Sequence, residues 1–293
     1  MSSFAAALES GRFIVTAELN PPKGTDLSDM LRKAELLRGW VDAFNLTDSA
    51  SAIMTMAPIA AAYRLAEHGF DPILQITSRD RNRIAVQGDL LAAANLGIHN
   101  LVCMGGDPPG AGDHPDAKPV FDLDTITLLK TAGALAAGTD MMGKKLNAPA
   151  DLFIGAVCNP GAPDLDKEIA RLEEKIEGGA RFFQTQAVYD VPAFEKFMGR
   201  VSKYNLPIIA GFIILKSGDM ARRLNATLPG ISVPETLIDE MDAAEDKPAK
   251  SIEIGGRIVK QLKNACRGVH LMAIGWEARI PAILEAAGFE KRT

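Results

Sequence analysis

At 293 residues, with 47% hydrophobic and 24% charged side chains, the chain has the make-up of a folded globular protein of one large α/β domain or two ordinary ones. A formal net charge of −5 excludes the basic stripe of a general nucleic-acid surface, and no apolar run reaches the roughly 18 residues of a membrane span. The N-terminal stretch lacks the basic region and long apolar core of a signal peptide. Cys103, Cys158 and Cys266 lie far apart with no CxxC spacing, so neither a zinc site nor a disulfide framework is expected. Cytoplasmic residence, with no membrane and no nucleic-acid partner, is the expectation.

Phe13–Glu18 is a short β-rich run stopped by Asn20-Pro21-Pro22, and Asp26 is a plausible N-cap for a periodic segment up to Trp40. Val41–Thr47 reads as a second strand, Ala52–His68 as a helix and Pro72–Thr77 as a third strand. Arg81–Asn95 is helical, with small apolar residues suited to packing on a sheet. Asn100–Met104 is the fourth strand and runs into Gly105-Gly106-Asp107-Pro108-Pro109, where one carboxylate stands among residues that turn and stiffen the chain. A polar insertion near 110–119 precedes a helix over Leu123–Ala136. Asp151–Val157, Arg181–Gln186, Pro207–Ile213 and Val269–Ile274 complete the strands. Between and after them lie helices over Asp164–Gly178, Val191–Ser202, Asp219–Thr227, Pro234–Leu262 and Glu277–Ala287.

Eight strand-then-helix units in series predict a parallel sheet with crossover helices, and within this length they predict a closed (β/α)8 TIM barrel. An open doubly wound sheet would need a GxGxxG turn after the first strand, and Glu18-Leu19-Asn20-Pro21-Pro22 is not one. The expected organisation is a single barrel domain over residues 1–293, with the polar insertion near 110–119 and extra helices near 232–262.

Catalytic residues of such barrels sit at the C-terminal ends of the strands. The polar residues there are Glu18, then Asn45, Thr47 and Asp48, then Gln75 and Thr77. Asp107, Asn159, Gln184, Thr185 and Gln186 follow, with Lys216 and Ser217 after the seventh strand. No His/Asp cluster for a hydrolytic metal is among them: His68 and His99 fall on the opposite side, His114 is in the insertion, and His270 comes early in strand eight. No lysine sits mid-barrel for Schiff-base chemistry. Amides and carboxylates instead suit a flat heterocycle with hydrogen-bonding edges. Glu18, partly desolvated at a barrel mouth, has the setting of a general acid; taken alone, a cap or salt-bridge role fits it equally. Cys103 and Cys158 read as core packing.

Taken together, Glu18-Leu19-Asn20-Pro21-Pro22, Asn45-Leu46-Thr47, Gly106-Asp107-Pro108-Pro109, Lys175-x-x-x-Gly179-Ala180 and Gln184-Thr185-Gln186-Ala187-Val188-Tyr189-Asp190 resemble the methylenetetrahydrofolate reductase family. The resemblance runs in register from about Phe13 to Phe289. It is nearest to the short bacterial form that includes acetogen-type enzymes, on Thr77-Ser78-Arg79-Asp80-Arg81-Asn82 and Met272-Ala273-Ile274-Gly275-Trp276-Glu277. It implies a (β/α)8 barrel with flavin on its C-terminal face. NAD(P)H and 5,10-methylenetetrahydrofolate would alternate on that flavin by a ping-pong route, giving 5-methyltetrahydrofolate for one-carbon metabolism and methionine biosynthesis. It makes Glu18 the general acid, Asp107 a catalytic and folate-binding residue near flavin and pterin, and Gln186 and Gln184 folate-binding residues. Thr47, Asp48, Ala50, Gln75, Gly105, Gly106, Asp122, Lys175 and Ala180 fall at flavin-contact positions.

Four departures bear on the cofactor. The family's arginine before Gly-Asp is Gly105, a histidine of strand three is Gln75, an aromatic ending strand five is Val157, and a phenylalanine after strand seven is Gly218. FAD, FMN and a flavin-free variant therefore stay open, as do NADH and NADPH. A folate-linked methyltransferase on the same barrel, a subunit dependent on a partner protein, and a homo-oligomer are the alternative readings of activity and assembly.

Overall fold

In a computed structural model, which describes residues 2–292, the strands form a closed parallel barrel in sequence order. They are β1 Ile14–Leu19, β2 Ala43–Leu46, β3 Pro72–Thr77, β4 Asn100–Met104, β5 Phe153–Cys158, β6 Phe182–Ala187, β7 Ile208–Ile213 and β8 Gly268–Met272, with β8 pairing back onto β1. The strands are buried on both faces, as crossover helices require, so they read as near-continuous apolar runs. The expected (β/α)8 architecture is the observed one.

Because successive strand residues point to opposite faces, closure fixes which side chains enter the barrel. Its lower layer holds Ile14, Ala43, Ile73, Val102, Phe182 and Ile209, packed together in a cluster of their own. Two residues higher on the same face come Thr16, Asn45, Gln75, Met104, Gln184 and Gly211, mostly polar. The barrel is thus dry at the N-terminal end and polar at the other.

What seals the dry end is helix α1, Ser3–Glu9, which the sequence reading does not anticipate. Phe4 and Leu8 are buried in the lower layer. The Phe4 ring meets Phe182 edge-on with centroids 5.3 Å apart, in a trio that stacks Phe182 on Phe153 at 5.2 Å. Ser2 caps the helix through Ala5 N–H at 3.1 Å, and the Phe4 N–H donates to Asp71 Oδ2 at 2.6 Å. An amphipathic segment of only 7 residues leaves too short a period to recognise in a sequence.

Three other expectations are corrected. Helix α2 spans Ser28–Leu36; Asp26 accepts from the Ser28 N–H at 2.9 Å but precedes the cap residue, Leu27. The helix expected from Ala52 begins at Pro58 (α3, Pro58–Glu67), because Ala50–Ala52 forms a 3-10 turn with left-handed residues. The stretch expected over Pro234–Leu262 is two helices, Glu235–Ala243 and Lys247–Ala265, the second started by the Asp246 side chain on Ala249 N–H. The remaining helices, Arg83–Asn95, Thr125–Ala136, Leu165–Glu177, Val191–Val201, Gly218–Thr227 and Ile280–Ala286, follow the expected order.

Above the barrel, the loops after β2, β3 and β4 are locked together. The Asp48 carboxylate accepts from Thr77 N–H and Oγ1, each at 2.9 Å, and from both Arg81 Nη atoms at 2.7 and 3.1 Å. Burial works against the Arg81 charge, and the Asp48 and Asp89 carboxylates together outweigh it, so the guanidinium is held above its ordinary value. Arg79, 3% exposed, donates to the carbonyls of Ser49 at 3.1 Å and Asp107 at 3.5 Å. These bonds hold Ser49, Ser51 and Ala52 at φ of 51°, 54° and 55°, conformations that side chains other than glycine adopt at a cost. Gly112 packs so closely under this turn that a Cβ there would lie 1.9 Å from the Ala52 carbonyl oxygen.

Two stability outcomes follow from these contacts. Phe4→Ala should lower unfolding free energy by about 3–5 kcal/mol, since it opens a cavity at the barrel floor; an unchanged denaturant midpoint would show that α1 does not seal the barrel. Arg81→Met should cost about 3 kcal/mol by leaving Asp48 buried without its cation, and Asp48→Asn added to it should recover part of the loss. Equal midpoints for wild type and Arg81→Met would remove the pair from the loop lock.

Candidate functional site

A cleft of about 540 Å³ opens at the C-terminal end of the barrel. Glu18 of β1, Gln75 of β3, Gly106 and Asp107 after β4, and Gln184 and Gln186 of β6 all line it. Lys175, on the helix Leu165–Glu177, closes one side. The principal acid, carboxylate and amides expected from the sequence therefore come together.

Their settings differ. Glu18, with its side chain 20% exposed, faces both the cleft and the barrel interior. Asp107 is held by its own loop: Gly106, at φ +86°, brings the backbone against Thr77, where a Cβ would lie 3.0 Å from the Thr77 Cβ. The Asp107 Oδ2 accepts from the Ser51 N–H at 3.1 Å, leaving Oδ1 for a ligand. Arg79 donates to the Asp107 carbonyl from beneath the loop and does not line the cleft, whereas Arg171 and Lys175 do.

Gln184 exchanges two hydrogen bonds with Asn45 across the barrel, at 2.7 and 3.0 Å, which fixes its amide. A register shift then separates Gln184 from Ala187 in the pairing of β6 with β7. In this bulge Thr185 Oγ1 accepts from the Gly211 N–H at 3.0 Å, and Gln184, Thr185 and Gln186 all line the cleft, which strict alternation would forbid. The Gln186 Oε1 accepts from Ala187 N–H at 3.0 Å, which leaves its NH2 group to donate. Gly211 is what admits the bulge, because a Cβ there would lie 2.4 Å from the Thr185 carbonyl oxygen.

Lys175 donates to the Val157 carbonyl at 2.7 Å, and burial pushes its ammonium below the usual lysine range. Cys158 also borders the cleft, but burial pushes its thiol up to about 12, so it is no nucleophile. Cys103 is likewise raised to about 12 by burial, in keeping with core packing.

Other expected flavin-contact positions turn away from the cleft. Asp48 is committed to Arg81, and Thr47 Oγ1 donates to Asn20 Oδ1 at 2.7 Å. Asp122 accepts from Arg83 Nε and Nη2, both at 2.8 Å, and this guanidinium together with the Arg83 N–H holds its carboxyl down at about 2. Ala50 lies exposed in the 3-10 turn and Ala180 is buried, while a Cβ at Gly105 would lie 3.5 Å from Thr125 Oγ1. Gly218, where the family carries phenylalanine, is covered by Asp242 of the helix Glu235–Ala243; a Cβ there would lie 2.0 Å from the Asp242 carboxylate.

Sequence reasoning passed over His270, Thr125, Glu168 and Arg171, which also line the cleft. For His270 a signal existed. It is the Cα partner of Thr16 in the β1–β8 pairing, so alternation turns it into the barrel two residues below Glu18. Among the described residues there is no group of His, Cys, Asp and Glu arranged to hold a metal ion, and no helix is long and apolar enough to cross a membrane.

Comparison with known proteins gives the family. The sequence model of the methylenetetrahydrofolate reductase family matches residues 3–288. The methylenetetrahydrofolate reductase 2 of Schizosaccharomyces pombe is 26% identical over 96% of this chain and 46% of its own length. The 5,10-methylenetetrahydrofolate reductase of Pectobacterium carotovorum is 22% identical over 86% of this chain and 80% of its own. The chain thus spans less than half the yeast relative and most of the bacterial one. Among solved structures, a Clostridium thermocellum protein described as binding two copies of 5-methyl-5,6,7,8-tetrahydrofolic acid superposes with a TM-score of 0.66, at 19% identity and 98% coverage of both chains, a likeness of fold. With a barrel of this topology and a family match over nearly its whole length, the chain belongs to the methylenetetrahydrofolate reductase family.

Proposed function

We propose that the protein reduces 5,10-methylenetetrahydrofolate to 5-methyltetrahydrofolate at the expense of NADH or NADPH. The observation that carries this reading is the convergence of Glu18, Asp107 and the amides of Gln75, Gln184 and Gln186 on a single cleft. A pterin presents a row of N–H groups and ring acceptors along one edge. Asp107 Oδ1 is free to accept from that edge, and the Gln186 NH2 group is free to donate to it.

Glu18 has the part of general acid. Its proton goes to the folate N10 as the bond from N10 to the bridging methylene breaks, and the N5 lone pair completes the iminium. Hydride, which carries both electrons from the nicotinamide, adds to the methylene carbon and leaves the N5-methyl product. Asp107 holds the pterin edge while the charge on the iminium develops, and the fixed Asn45–Gln184 pair keeps the floor of the cleft from rearranging.

The residues present fit the ring end of a flavin, with Gln75, Gly106 and Lys175 all on the cleft. When bound there, a flavin would accept hydride from NAD(P)H on one visit and hand it to the folate on the next. Asp48 and Asp122, at expected flavin-contact positions, are engaged by Arg81 and Arg83. The same support extends to a folate-binding partner role only through Gln186 and Asp107, which would bind folate whatever the electron route.

Glu18→Gln should reduce turnover of methylenetetrahydrofolate by roughly 10²–10⁴-fold while leaving NAD(P)H oxidation with menadione largely intact; equal loss in both assays would rule out the general-acid role. Asp107→Asn should weaken 5-methyltetrahydrofolate binding by about 1.5 kcal/mol, roughly tenfold in Kd, and unaltered affinity would take Asp107 out of the folate site. The absorption spectrum of the purified protein, with any released cofactor identified, decides between FAD, FMN and a flavin-free enzyme.

A further inference from the structure

Thr16, Glu18 and His270 form a column on the inner faces of β1 and β8. His270 is 4% exposed and Thr16 fully buried, so the imidazole is shielded from bulk water. Its Nδ1 lies 2.9 Å from Thr16 Oγ1, and its Nε2 lies 3.8 Å from Glu18 Oε2. A buried polar side chain in such a place needs a reason, because packing alone would be served by an apolar residue.

We infer that His270 is a positioning residue for Glu18, with Thr16 setting its tautomer. This rests on the proposed folate reduction, and it concerns how the acid is prepared. The 2.9 Å contact between Thr16 Oγ1 and Nδ1 can run in either direction; in this assignment the hydroxyl donates, which leaves the imidazole proton on Nε2, the nitrogen that faces Glu18. Nε2–H faces the Oε2 side of the carboxyl at 3.8 Å, beyond hydrogen-bond length, and leaves Oε1 for the cleft, where the proton for N10 must reside. As Glu18 gives up that proton, negative charge appears on the carboxylate, and Nε2–H is a donor already in place to meet it. The contact is therefore stronger after the transfer than before, the condition for lowering the barrier. Glu18 regains its proton from water that enters the cleft when the methylated product leaves, so the step balances with no further co-reactant.

The experiment compares wild type, His270→Leu, His270→Gln and Thr16→Val. Leucine fills the volume without a donor, and glutamine can return an N–H to Glu18. The expected result for His270→Leu is a fall in kcat of about a hundredfold, with 5-methyltetrahydrofolate affinity and thermal midpoint close to wild type and a larger solvent deuterium isotope effect. His270→Gln should recover roughly tenfold of that loss, and Thr16→Val should lie between. A kcat within twofold of wild type in His270→Leu, or parallel losses of kcat and folate affinity with no recovery in His270→Gln, would overturn the assignment. Correlation spectra of protein labelled with ¹⁵N-histidine provide an arm independent of turnover. The proton should be found on Nε2 of His270, and its signal should move in Glu18→Gln; a proton on Nδ1 would overturn the inference. A wild type that reduces no methylenetetrahydrofolate would thus sink the proposed function and still leave the tautomer to decide the His270 assignment.

Discussion

Closure of the eight-stranded barrel is the constraint on which the rest depends. Once the sheet has no edge, the two-residue period of each strand divides its side chains between the interior and the helix layer with no freedom to slip. The interior is then graded along its axis. Ile14, Ile73, Val102, Phe182 and Ile209 make the lower layer dry, and Phe4 closes it from below. With that end supplying cohesion, the other can hold Glu18, Gln75, Gln184 and His270, which would weaken a barrel that was polar throughout. The site is a consequence of the same periodicity that makes the core.

The loops above the barrel depend on a second, electrostatic device. Three residues in left-handed conformations follow β2, and nothing local to that segment favours them. They persist because Arg79 binds the carbonyl of Ser49, because Asp48 is clamped by Arg81 and Thr77, and because Gly112 lets the next loop pass beneath Ala52. The result positions Asp107, which faces the cleft with one oxygen tied to Ser51. Two arginines that read from the sequence as part of a family signature thus act through structure. Arg81 also occupies both oxygens of the Asp48 carboxylate.

Much of this was legible before any coordinates. Strands such as Ile208–Ile213 are long enough, and apolar enough on both faces, to be seen as parallel and buried, and eight of them in alternation with helices leave few other folds. Glu18 and Gln186 are legible as polar residues near strand ends, and Asp107 as the lone carboxylate of the loop after β4. What escaped depends on contacts distant in sequence. His270 looks like an early strand residue until β8 is registered against β1, and the bulge that brings Gln184 and Gln186 to one side needs Gly211 from the neighbouring strand. Asp122 looks as available as Asp107, and only the position of Arg83 shows that it is engaged. Helix α1 was missed for a different reason: it is too short to announce itself, and it is a helix because the barrel floor needs a lid.

The central claim is that one cleft binds the folate with its reacting nitrogens beside Glu18. The most direct measurement is a crystal structure of the protein soaked with 5-methyltetrahydrofolate. The account predicts the pterin edge on Asp107 Oδ1, the Gln186 amide on the same molecule, and N10 within hydrogen-bonding reach of Glu18 Oε1. Folate bound elsewhere on the barrel, or in the cleft with its pterin turned away from β1 and Asp107, would contradict it.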